Sequence, residues 1–83
     1  MKIGTRVKSL RDFAGVPKGT EGVIDEDYGT GVMVAWDLPD KPLPKGYRQY
    51  DGLPIPKEYR QYDGGILRDG FDKETELKFL ERL

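Results

Sequence analysis

Apolar positions alternate most regularly over Gly31 to Trp36, GVMVAW, where Val32, Val34 and Trp36 fall on one face of an extended segment and Met33 and Ala35 on the other. A shorter alternation, Thr5-Arg6-Val7-Lys8-Ser9, predicts a first strand with Val7 inward, and Thr20 to Asp25, TEGVID, predicts a second. Ile66 to Phe71, ILRDGF, predicts a fourth. The spacers carry turn chemistry. Residues 11–19, RDFAGVPKG, contain two glycines and a proline, and Asp27-Tyr28-Gly29-Thr30-Gly31 contains two glycines able to take positive φ.

The tail FDKETELKFLERL fits two periods. Asp72 can cap a helix in which Glu74 and Lys78 stand four apart and Leu77, Leu80 and Leu83 recur at threes. Alternation fits as well, with Leu77 and Phe79 inward. A first strand without a second neighbour leaves an open edge. The expectation is therefore a tight turn over Asp72 to Thr75 and a fifth strand over Glu76 to Glu81, with a terminal helix as the competing reading.

Between the third and fourth strands the pattern stops. Pro39, Pro42, Pro44, Pro54 and Pro56 each lack an amide donor, and Gly46 lies among them, so residues 37–64 predict a long excursion from the sheet. That excursion contains a tandem repeat: PLPKGYRQYDG at 42–52 returns as PIPKEYRQYDG at 54–64, twelve residues on. The prolines favour an extended threefold backbone, and YRQY ending in Asp-Gly favours a turn that brings the tyrosines of each copy to one side. Tyrosine and arginine are residue types that make protein interfaces and stack on unpaired bases. Tyr28, Trp36, Tyr47, Arg48, Tyr50, Tyr59, Arg60 and Tyr62 are accordingly the candidate partner-binding residues. The plainer alternatives stay open: the rings pack over the sheet, Trp36 joins Val32 and Val34 in the core, and one repeat copy is dispensable.

Five short strands in this order resemble an SH3-like barrel, through GTRVKSL at 4–10, VPKGTEGVI at 16–24 and GVMVAWD at 31–37. The middle segment, with Lys18-Gly19 and then Gly22-Val23-Ile24, is similar to the KOW-type motif of ribosomal and transcription elongation proteins. It also resembles small bacterial SH3-like proteins and the variable chain of ferredoxin-thioredoxin reductase. The fold class implied is all-β, a small five-stranded SH3-like barrel in one domain over 1–83, with the proline- and tyrosine-rich segment inserted between strands 3 and 4. In such a sheet Gly22 marks a bulge or a close strand crossing, where a side chain would collide.

Charge narrows the function. Fourteen basic and fifteen acidic residues give a net charge of −1, so the whole chain has no strong pull toward a polyanion. Of the three sections 1–39, 40–62 and 63–83, only 40–62, with five basic and three acidic groups, is net positive. Arg6 and Lys8 share a strand face, but Glu21 and the Asp25-Glu26-Asp27 run dilute that patch. The acidic run reads as solvated turn charge, without the oxygen-ligand spacing of a calcium loop. Histidine and cysteine are both absent, which removes the usual nucleophile and base pairs and the common zinc ligands. No catalytic pair, cofactor motif or metal set is expected. There is no apolar run of membrane-spanning length and no signal-like N-terminus, so a cytosolic location is the expectation. The function anticipated is a non-catalytic protein-interaction module or accessory subunit, binding through residues 39–62 with loops 11–18 and 27–31. Single-stranded nucleic acid binding and a purely structural role are the alternatives.

Overall fold

A computed structural model describes residues 1–43, 47 and 66–83. Strands β1 (Arg6–Ser9), β2 (Glu21–Asp27), β3 (Gly31–Trp36), β4 (Arg68–Asp72) and β5 (Leu80–Arg82) form one antiparallel sheet in the order β4-β3-β2-β1-β5. A single helix among the described residues, α1 (Lys73–Phe79), joins β4 to β5. Gly31 to Trp36 is the strand that the alternation marks, and Val7 is fully buried in β1 as expected.

One cluster draws on every strand: Val7, Ile24, Val32, Val34, Trp36, Phe71 and Leu80, with Val16 and Leu38 from the connections. A flat sheet cannot assemble it. The outermost strands would stand four spacings apart, about 19 Å at 4.8 Å each, whereas the rings of Phe71 in β4 and Phe79, next to β5, are 5.8 Å apart. The sheet is therefore curled into a half-barrel. β4 and β5 do not pair with each other, so the half-barrel stays open, which corrects the expectation of a closed barrel. Aromatic packing bridges the two ends instead. Phe13, from the β1–β2 connection, lies edge-on to Trp36, Phe71 and Phe79, with centroids 5.8, 5.7 and 5.0 Å away.

Curling brings backbones close where side chains are absent. A Cβ on Gly22 would stand 2.8 Å from the Ala35 carbonyl oxygen and 2.9 Å from Trp36 Cε3, so this position is the close crossing that the sequence suggests. The bulge lies elsewhere. Ile24 pairs with Val34 and Glu26 with Met33, leaving Asp25 as the extra residue of β2.

The tail departs from the expected strand over 76–81. Asp72, in extended conformation, accepts from the Thr75 amide at 2.8 Å, and good helix formers follow it. The helix takes residues 73–79 and leaves three residues for β5. Leu77, expected inward, is 83% exposed because the helical period turns it away from the core. The short β5 still meets the need that predicted it, since Ser9, Lys8 and Val7 pair with Leu80, Glu81 and Arg82. Residues 37–67 connect β3 to β4, and most of the proposed insertion, with the repeat from Arg48 onward, lies outside the described residues.

Candidate interaction surface

The bulge at Asp25 builds the most elaborate polar arrangement in the described structure. In an unbroken strand consecutive residues face opposite sides. The extra residue cancels that alternation, so Asp25 and Glu26 both reach Arg68, the first residue of β4. Its Nε and Nη2 donate to the two Asp25 carboxylate oxygens at 2.7 and 3.0 Å, and Nη2 also donates to Glu26 at 2.7 Å. A planar guanidinium matches a carboxylate in this two-point manner, whereas an ammonium does not. Burial alone would lower the Arg68 pKa, but the hydrogen bonds it donates to both carboxylates raise it on balance, so the cation is firmly held.

Tyr47 completes the cluster. Its hydroxyl donates to Asp25 Oδ2 at 2.7 Å, and its ring belongs to a second apolar cluster with Val23 and Ala35, against which Leu43 and Ile66 pack. Val23, Ala35 and Arg68 stand in one row across β2, β3 and β4, on the sheet face opposite the main core. Burial first, and then the Asp25 carboxylate, push the Tyr47 phenol well above its usual pKa. The first residue of YRQY thus has a built socket: an apolar floor, an acceptor for its hydroxyl and an arginine steadying that acceptor.

Tyr28 stands in the β2–β3 turn beside this cluster. Its side chain is 56% exposed, and a hydrogen bond with the Glu26 carboxylate raises its phenol pKa. One acidic pair therefore serves both ends, with Asp25 holding the buried Tyr47 and Glu26 touching the exposed Tyr28.

The candidate residues divide accordingly. Tyr28 is exposed, as a contact residue must be. Trp36 is not: its side chain has no exposed surface, packs among aromatic rings and donates from Nε1 to Asp69 Oδ2 at 2.9 Å. It leaves the contact set because β3 alternation points it into the core. Tyr47 is buried too and acts as an anchor. Arg48, Tyr50, Tyr59, Arg60 and Tyr62 lie outside the described residues. Asp25 and Arg68 are the residues that sequence reasoning missed. The acidic run read as solvated charge, yet the Asp25 side chain is only 9% exposed. A lone arginine opening a strand was the available signal, but it means nothing until the bulge is known.

Three basic side chains of the β1 region have partners. Arg6 bonds Glu21 at 3.0 Å, Lys8 lies 3.6 Å from Glu81, and the Arg11 guanidinium sits over the Phe79 ring. Among the described residues no group of His, Cys, Asp or Glu is arranged to hold a metal ion, and no helix is long and apolar enough to cross a membrane. No protein-family model matches the chain, and neither a curated protein nor a solved structure gives a significant match.

Proposed function

We propose that the chain is a non-catalytic, SH3-like interaction module that binds another protein through Tyr28 and the tyrosine repeat. The observation carrying this reading is the shared support of the two: the Asp25–Glu26–Arg68 cluster holds Tyr47, where YRQY begins, and also touches Tyr28, the aromatic ring left most exposed among the described residues. Tyr47 thus seats the first copy beside the exposed Tyr28, and Tyr50, Tyr59 and Tyr62 supply further rings of the kind that dominate protein contacts. The curled antiparallel sheet, with its last strand returning to its first, supports the SH3-like assignment. A nucleic-acid role draws less support, because Arg6 and Lys8 on the KOW-like side are already matched by Glu21 and Glu81.

The test compares capture by the wild-type chain with capture by Tyr28→Ser and by the triple Tyr50→Ser/Tyr59→Ser/Tyr62→Ser, leaving the anchoring Tyr47 intact. Specific partners retained by wild type and lost by both folded variants support the reading. Equal capture by the triple variant removes the repeat from it. Saturable binding of labelled single-stranded oligonucleotides that weakens as salt rises would replace it with the nucleic-acid role.

A further inference from the structure

The socket on the second sheet face has one resident and, in the sequence, two candidates. Its described contents are an aliphatic side chain, Leu43, and four residues later a tyrosine, Tyr47, seated on Val23 and Ala35 with the hydroxyl on Asp25. The second repeat copy offers Ile55 and Tyr59, the same two residue types at the same spacing, within PIPKEY against PLPKGY. Isoleucine for leucine conserves volume, and such exchanges are the best tolerated in packed sites. We propose that the socket accepts either copy, so that residues 54–59 are an alternative occupant able to replace residues 42–47 within the same chain.

Chain length permits the exchange. Ile66 already packs at the socket, and the seven residues from Tyr59 to Ile66 span up to about 23 Å when extended, ample for neighbours on one face. Seating the second copy lengthens the connection from β3 by twelve residues and shortens the connection to β4 by twelve, and loop closure depends only weakly on length. Charge decides the resident. The socket holds two carboxylates against one guanidinium, and the residue before the tyrosine is Gly46 in the first copy and Glu58 in the second. A carboxylate is the poorer neighbour there, so the first copy is favoured and the second stands in reserve. This exchange is independent of whether a partner protein binds.

The experiment measures thermal unfolding of the wild type, Tyr47→Ser, Tyr59→Ser and the double variant. Tyr59→Ser should match wild type, Tyr47→Ser should lose only a few degrees, and the double should fall ~10 °C or more beyond the sum of the single effects. A double variant no worse than Tyr47→Ser overturns the proposal. A gentler pair avoids dependence on a damaged core. In chains labelled with 3-fluorotyrosine, wild type should show the buried fluorine resonance at residue 47, and Tyr47→Phe, which removes only the hydroxyl that Asp25 selects, should show it at residue 59. A Tyr59 resonance that stays solvent-exposed in Tyr47→Phe overturns the proposal. Rescue that grows with protein concentration and accompanies a doubled sedimenting mass also overturns it, since the occupant would then come from a neighbouring molecule.

Discussion

At the scale of single residues, the least comfortable backbone among the described residues is at Ala14. Phe13 and Val16 bond each other reciprocally, amide to carbonyl at 3.0 and 2.6 Å, around a two-residue turn in which Ala14 and Gly15 have φ of 42° and 83°. Positive φ at both positions is the signature of a type I′ hairpin turn, which favours Asn-Gly; an alanine there is held against a Cβ clash of about 1–2 kcal/mol. The strain is tolerated because the turn delivers Phe13 to its contacts with Trp36, Phe71 and Phe79. Ala14 itself is exposed, so its replacement disturbs no packing. Ala14→Asn should raise stability by about 0.5 kcal/mol, which is ~2–4 °C in the midpoint of a domain this size. A circular dichroism melt that shows no gain would mean the side chain touches something that the turn geometry does not reveal. In the sequence, FAGV advertised a turn through its glycine, but the phenylalanine beside it gave no sign of being the plug between the two ends of the sheet.

Elements were legible in proportion to how local their causes are. The alternation of GVMVAW gave β3 its limits because packing on both faces follows directly from a period of two. β2 was cut short at Asp25 because a bulge depends on the partner strand and leaves no pattern in its own residues. The tail was ambiguous for a different reason: KETELKF suits a helix, while the need to pair β1 calls for a strand, and the chain satisfies each in turn. The cap that decides the order can be tested by acid. Its bond to the Thr75 amide, and then to the Thr75 hydroxyl, lowers the Asp72 pKa. A carboxyl with a depressed folded-state pKa stabilises above its unfolded value, about 3.9, and that contribution is lost as pH falls through the folded value. Asp72→Asn keeps a capping oxygen but cannot titrate. Melts between pH 7 and pH 2 should show the two chains close together near neutrality and the wild type falling more steeply below pH 4. Parallel curves would show that the cap does not shape the acid limb.

For the whole molecule, sequence reading identified a curled antiparallel sheet with a proline-rich connection, but not where that connection touches the sheet. Tyr47 over Val23 and Ala35 is a contact between distant segments, and its polar half depends on Arg68, whose partners are set by a bulge 43 residues away in sequence. The twelve-residue duplication bears on stability at this scale. Deleting Leu53 to Gly64 shortens the β3–β4 connection from 31 residues to 19 while leaving Leu43 and Tyr47 in place. Loop entropy alone then favours the shorter chain by about 0.4 kcal/mol, and the deletion should unfold in one cooperative transition at or slightly above the wild-type midpoint. A broad or lost transition would make the second copy part of the core.

The pairing of Val7 with Arg82 has a temporal consequence. During synthesis, β1 can complete one ladder as soon as β2 emerges, but its other hydrogen-bonding row must wait for Leu80–Arg82, encoded far downstream of it. Until then the nascent sheet displays a bare strand to any passing polypeptide. Avoiding aggregation in that interval falls to the charged side chains of Arg6 and Lys8.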